Sequence, residues 1–331
     1  MNDKYQPVIW IVLSAIFLFS RLYNLHLLPL FSDEAYVIVR AQEVWQTGKL
    51  LGMVVSTTQP VFVWMVALSQ IFPVDPVVSG RGVSIIFGLI TALLLGRAAG
   101  KWIHPQAKWL AFGLTLLLPF TFFYDRTLLF ETTLTGWIAL SLFWPAAGLP
   151  LAILTKQTGW LGLPLAVGLH WKNKRQLFFA LITVVVIPFM IWFIALGGWD
   201  EVLKVAISKT SAPLGSANIK LNLLRMKLWL ISYFTWPFLL LMFMGLVKEL
   251  VTSVKKQRIS QILIVGIWSI GLLIFEAKVA VIFYPRYFYP IVLGGILLAT
   301  NASWSILNFL GRVKQVYVRN TLVLLFWLIT L

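Results

Sequence analysis

Apolar residues in this chain run in long blocks separated by short polar clusters. Eight blocks, 6–23, 80–99, 107–123, 128–145, 176–197, 227–247, 259–275 and 287–309, are near-continuously hydrophobic. Each has the length, roughly 17–25 residues, that carries a helix across a bilayer core about 30 Å thick. Two stretches depart from that pattern. Between Pro60 and Pro73 the run VFVWMVALSQIF extends about 18 Å as a helix, too short to cross, and predicts an interfacial or juxtamembrane helix. From Pro145 to His170 the apolar run is interrupted by prolines and glycines and carries Lys156 at its middle. Two half-helices that enter and return, with the lysine at their tip, suit this better than a span holding a stranded ammonium.

One segment has a helical polar face. After Phe31-Ser32-Asp33-Glu34-Ala35-Tyr36, the residues Val37, Ala41 and Val44 fall on one side of a helix, and Tyr36, Arg40, Glu43 and Thr47 on another. That alternation predicts an amphipathic helix at the membrane surface, ending near Gly48.

Composition agrees with a polytopic membrane protein. Of 331 residues, 60% are hydrophobic and 11% charged, against about 45–50% and about 25% in a soluble chain. The excess of 27 Lys and Arg over 11 Asp and Glu reflects topology. The bases sit in clusters between apolar runs and make no stripe for nucleic acid, which is excluded as a partner. With an N-terminus in the cytoplasm, 61–72 non-spanning and 146–171 re-entrant, most bases fall on the cytoplasmic side, KNKR at 172–175 among them. Only Asp3 and Glu249 join them, and the other nine acids fall outside. The N-terminal run has no short apolar region followed by a small-residue cleavage site and is expected to be a retained first span. The prediction is thus an all-α, multi-pass cell-membrane protein over 1–331 with ten to eleven membrane helices including half-helices. Its outer loops are 24–79 and 198–226. Cysteine is absent, which removes disulfides and thiolate chemistry.

Candidate chemistry gathers at the expected outer face. Asp33 and Glu34 are adjacent carboxylates there, suited to a base or a metal ligand. They equally fit a helix start, with Ser32 as N-cap and acids favouring the helix dipole. Arg126 and Glu131 follow the third apolar block and read either as a structural ion pair or as substrate contacts. Lys156 has no acid one helical turn away in sequence, so anion binding is its natural task. Arg286, in Tyr284-Pro285-Arg286-Tyr287-Phe288-Tyr289-Pro290, is either an interfacial anchor among tyrosines or a phosphate contact. The loop 198–226 carries Lys204, Lys209, Lys220 and Arg225 around the flexible run Thr210–Ser216 and could serve as a lid. His26, His104 and His170 fall near different faces, which argues against a shared metal. Gly96-Arg97-Ala98-Ala99-Gly100-Lys101 lacks the spacing and hydroxyl of a phosphate loop.

The order of these features resembles the GT-C glycosyltransferases. The resemblance rests on an outer loop opening with Asp33-Glu34, an interfacial helix after Pro60, and Arg81 opening the next span. It also rests on the Arg126…Glu131 segment, Leu154-Thr155-Lys156 with Gly159, and Arg286-Tyr287 with Pro290 before a late helix. Within that superfamily the chain is most similar to the branch of dolichyl-phosphate-mannose protein mannosyltransferases and bacterial aminoarabinose lipid A transferases. The resemblance implies inverting transfer of a sugar from a polyprenyl-phosphate donor to a hydroxyl of a lipid, glycan or protein acceptor, on the extracytoplasmic side. It implies Asp33 as base, Glu34 orienting the acceptor or holding a divalent cation, and Arg126, Glu131, Lys156, Arg286 and Tyr287 contacting substrate. Where relatives place Lys or His before a double proline, this chain reads Thr57-Thr58-Gln59-Pro60-Val61, lacking that cation and metal ligand. Relatives commonly continue beyond the point where this chain ends, and the run 320–331 reads as a terminal half-helix or a span cut short. The rival from another class is a lipid or small-solute transporter, since paired half-helices and buried charges also line transport paths.

Overall fold

The structure, a computed structural model, describes residues 5–50, 60–196, 198, 200, 219–280 and 282–311. Among them there are helices and no strands. In chain order these are α1 (Gln6–Leu22), a 3₁₀ turn (Leu25–Leu27), α2 (Ser32–Thr47), α3 (Pro60–Ser69), α4 (Pro76–Trp102), α5 (Ala107–Leu117) and α6 (Pro119–Tyr124). Next come α7 (Phe130–Ser141), α8 (Pro145–Thr155), a 3₁₀ turn (Gln157–Leu161), α9 (Gly162–His170) and α10 (Lys174–Leu196). The rest are α11 (Ile219–Tyr233), α12 (Trp236–Lys256), α13 (Gln261–Val279), a 3₁₀ segment (Pro285–Ile291) and α14 (Val292–Gly311).

Six of the described helices are long and apolar enough to cross a membrane: α1, α4, α10, α12, α13 and α14. Three of the expected spans are shorter or broken. The block 107–123 divides at Leu118, whose backbone is extended (ψ 122°); the following Pro119 disfavours helical geometry there. The block 128–145 yields a 12-residue helix, with Trp144 non-helical ahead of Pro145. The block 227–247 divides between α11 and α12, whose first turn holds Pro237. Lys248 and Glu249, expected as a polar flank, therefore lie inside α12. Most of the loop 198–226, the Thr57-Thr58-Gln59 stretch and the run 320–331 lie outside the described residues.

The chain divides into two compact units, 1–91 with 122–213, and 92–121 with 214–331. In the first, α2 lies against α3. Val37, Ala41 and Val44 are buried, as the pattern predicts, and pack with Phe62, Val63, Val66, Phe87 and Leu128. Tyr36, Glu43 and Thr47 are exposed. The short α3 is buried over most of its length. Its Trp64 indole donates to the Leu50 carbonyl at 2.6 Å.

The region 145–170 forms the two short helices expected there, folded back on one another. Gly159 sits so close to α8 that a Cβ there would lie 2.5 Å from the Ala152 carbonyl oxygen, and a Cβ at Gly162 would meet Leu149. Farther back, His170 Nε2 reaches the Ser141 carbonyl at 3.2 Å, and Gln176 donates to Phe143 O at 2.7 Å. Position 152 against 159, 149 against 162 and 141 against 170 is an antiparallel return. Lys156 occupies its tip, extended at φ −155° and ψ 143°.

In the second unit α14 packs on α5, α12 and α13. Gly245 of α12 permits this closeness, since a Cβ there would fall 2.0 Å from the Leu298 carbonyl oxygen. A polar clasp ties the same helices together. Lys248 donates to Asn301 Oδ1 at 2.7 Å, while Glu249 accepts from Ser260 and from Asn301 Nδ2.

Candidate active site

The adjacent carboxylates at the start of α2 have opposite environments. Successive helical residues point about 100° apart, so one side chain faces in and the other out. Glu34 is fully buried, and Asp33 is half-buried. Glu34 reaches back to accept from the Phe31 N–H at 2.9 Å. Phe31, not Ser32, is the N-cap residue.

The partner that makes Glu34 burial tolerable is Arg81 of α4, itself 1% exposed. Its Nε donates to Glu34 Oε1 at 2.9 Å and an Nη to Oε2 at 2.8 Å. Its remaining N–H groups go to the carbonyls of Leu25 (2.9 Å), Leu28 (3.1 Å) and Pro29 (2.9 Å). All five guanidinium donors are thus used. Glu34 Oε1 also accepts from the Leu128 N–H at 2.7 Å. Each Glu34 oxygen therefore takes two N–H bonds, and one buried pair ties the loop 25–31, the start of α2, α4 and the start of the 128–130 segment together. Gly80, next to Arg81, allows the approach, because a Cβ there would press on Leu128 at 2.9 Å.

That arrangement bears on the divalent cation. Both Glu34 oxygens are engaged by protein donors, and among the described residues no group of three or more His, Asp or Glu side chains could hold a metal ion. With its oxygens so engaged, Glu34 does not fit a metal ligand.

A second buried pair lies nearby in the chain. Arg21 at the end of α1 meets Asp125 at 3.5 Å, with both side chains at most 1% exposed. The Arg21 guanidinium lies over the Phe17 ring at 4.1 Å. Asp125 sits against Gly88, where a Cβ would fall 2.5 Å from the carboxyl carbon. Adjacent Arg126 does not pair with Glu131 as one sequence reading has it. It donates to the carbonyls of Arg21 (3.1 Å) and Tyr23 (2.7 Å) and lies over Phe122 at 5.2 Å. Burial, and then the charge of Arg81, hold the Arg126 pKa below the usual arginine value.

Glu131 instead receives Lys156. The ammonium donates to Glu131 Oε1 at 2.7 Å, with the lysine side chain 26% exposed and the glutamate 5%. The acid missing from one helical turn around Lys156 comes from 25 residues upstream, so the ammonium is neutralised. In the second unit, Arg286 lies 4.8 Å over Tyr284 and 5.7 Å over Tyr287, and is half-buried.

Asp33, Glu34, Arg126, Glu131 and Lys156 all belong to the first unit, Arg286 and Tyr287 to the second. The sequence reading used Arg81 only as a positional marker and missed Arg21 as a site residue. Each reads as an ordinary flanking base, and only the carbonyls and carboxylates that meet them reveal their tasks.

The fold matches known structures. Over 95% of this chain, ArnT from Cupriavidus metallidurans bound to undecaprenyl phosphate superposes with a TM-score of 0.68 at 18% identity. The two proteins share a fold. The same ArnT in its apo state gives a TM-score of 0.63 at 18% identity over 92% of this chain. The Archaeoglobus fulgidus oligosaccharyltransferase in its apo form gives 0.68 at 12% identity over 99%. This chain spans 61%, 62% and 55% of those proteins' lengths, respectively. No family model matches the sequence, and no curated protein matches it.

Proposed function

We propose that this protein is a membrane glycosyltransferase that moves a sugar from a polyprenyl-phosphate carrier to a hydroxyl acceptor on the extracytoplasmic side, with inversion. The observation that carries this reading is the division of labour between Asp33 and Glu34, within a fold shared with a protein that binds undecaprenyl phosphate. Glu34 is buried and engaged by Arg81, Phe31 and Leu128, and Asp33 beside it is half-buried at the same helix start.

Asp33 takes the proton of the acceptor hydroxyl as that oxygen bonds to the anomeric carbon. The bond from that carbon to the phosphate oxygen breaks on the opposite side, and its electron pair leaves with the polyprenyl phosphate. A phosphodiester of one negative charge becomes a monoester approaching two, so cations that meet the growing charge lower the barrier. Lys156, neutralised by Glu131, is assigned to orienting the sugar or acceptor by hydrogen bonds. Arg126 is committed to backbone carbonyls and is assigned a positioning role in holding the end of α1. Glu34 likewise positions Asp33 and does not touch substrate.

Purified protein in detergent, given a labelled polyprenyl-phosphate sugar and a membrane extract, should yield a covalent product and free polyprenyl phosphate. A transporter needs two compartments and makes no product in detergent. Product in detergent establishes the transferase, and vesicle uptake without product would overturn it.

A further inference from the structure

One end of the second unit gathers cations and indoles around a histidine. Three contacts fix which helix ends meet there. Lys248, in the later half of α12, donates to Ser305 of α14. Glu249 accepts from Ser260, the N-cap of α13. The His104 ring, in the turn between α4 and α5, stacks on the Trp304 indole of α14 at 4.4 Å and 17°. The end of α4, the starts of α5 and α13 and the later halves of α12 and α14 therefore lie together.

Charge at this end is nearly all of one sign. The second unit has two acids, Glu249 and Glu276. Glu249 is buried and occupied by Ser260 and Asn301. Glu276 lies far down α13 from Ser260, about 24 Å at the helical rise. The bases Lys101, Lys108, Lys248, Lys255, Lys256 and Arg258 thus have no accessible side-chain carboxylate of their own unit beside them.

The turn between α4 and α5 concentrates part of that charge. A Cβ at Gly100 would touch the Lys108 Cβ at 3.4 Å, so the stem of Lys108 lies against the last turn of α4, next to Lys101. The Lys108 ammonium sits 4.7 Å over the Trp109 ring. His104 Nδ1 accepts from the Gln106 N–H at 3.3 Å, which leaves the proton of the neutral ring on Nε2 as a donor. His104 and Lys101 are exposed, and Trp304 behind the imidazole is half-buried.

Lysines beside indoles at the end of apolar helices are the chemistry of a bilayer interface, and ammonium and imidazole donors together suit a phosphate oxygen. We propose that the turn between α4 and α5 binds the phosphodiester headgroup of an anionic phospholipid, held by Lys101, His104 and Lys108, with Trp304 fixing the imidazole. The ligand is a lipid because the turn stands at the end of helices long and apolar enough to cross a membrane, α4, α12, α13 and α14, against which acyl chains lie. The site is independent of the transfer reaction proposed above.

The test titrates the full chain, purified in an uncharged detergent, with dioctanoyl phosphatidylglycerol, dioctanoyl phosphatidylcholine and glycerol 3-phosphate. Occupancy is read by native mass spectrometry and by thermal shift. Wild type should bind the phosphatidylglycerol saturably and at least about tenfold more tightly than the phosphatidylcholine. Lys101→Gln combined with Lys108→Gln should weaken phosphatidylglycerol at least about tenfold, and His104→Ala about fivefold. Phosphatidylcholine binding and the lipid-free melting temperature should not move. Lys255→Gln combined with Lys256→Gln removes the same charge from the same end but outside the turn, and should change the affinity less than about twofold. Equal losses in the two double variants would show a diffuse field and overturn the site. Competition by glycerol 3-phosphate at the concentration of the lipid would also overturn it, because the ligand would then be a soluble phosphate. Lys101→Glu, at an exposed position, repeats the comparison without disturbing packing; phosphatidylglycerol affinity unchanged in that variant would likewise contradict the assignment.

Discussion

Arg81 and Glu34, 47 residues apart, form a closed fork in which the guanidinium spends its five donors on one carboxylate and three carbonyls. The carboxylate, in turn, fastens two backbone N–H groups from separate segments. No water-facing charge remains on either side chain, so the pair's contribution is positional: it sets where α2 begins and which way Asp33 points.

Removing one member of such a pair strands the other. Glu34→Gln should lower stability by about 3–5 kcal/mol, the cost of an uncompensated buried charge. Arg81→Lys should fail similarly, because an ammonium has three donors and no fork. Thermal melting in detergent checks this; a melting temperature within a degree of wild type for both variants would contradict it.

Lys156 and Glu131 should behave as a unit. Lys156→Met leaves a nearly buried carboxylate unpaired, and Glu131→Gln leaves the ammonium at the hairpin tip without its counter-ion. The double variant should therefore lose less stability than the sum of the singles, by roughly 1–3 kcal/mol of coupling. Strict additivity in a double-mutant cycle would show that the contact contributes nothing.

Two glycines separate close packing from helix propensity. Gly159→Ala drives a methyl into the α8 backbone at 2.4–2.5 Å, where no flexible side chain can yield, and should cost at least about 1–3 kcal/mol. Gly271→Ala on α13 meets nothing within 4 Å and should be neutral or stabilising by up to about 1 kcal/mol. Equal melting temperatures for the two variants would refute the hairpin geometry.

What could be read from the sequence follows from which signals are local. The α2 face, with Val37, Ala41 and Val44 inward, is a 3.6-residue period and survived intact. The hairpin at Lys156 was legible because a charge amid glycines and prolines cannot sit in a straight span. The breaks at Leu118 and Thr235 were harder, since a run of uniform hydropathy conceals them, even though Pro119 and Pro237 stand beside each. Partner choice was not legible. Arg21 meets Asp125 across 104 residues, and Glu131 takes Lys156 and not Arg126. Such pairings depend on how helices stack, which hydropathy does not encode. For the same reason Asp33 and Glu34 look equivalent in sequence, and only burial separates them.

The central claim is that Asp33 accepts the acceptor's proton while Glu34 only holds it in place. The most direct measurement is single-turnover transfer from a labelled polyprenyl-phosphate sugar, comparing wild type with Asp33→Asn at matched, verified folding. The account predicts a loss of at least about 100-fold in rate for Asp33→Asn, with donor binding and melting temperature unchanged. Wild-type turnover by Asp33→Asn would contradict it.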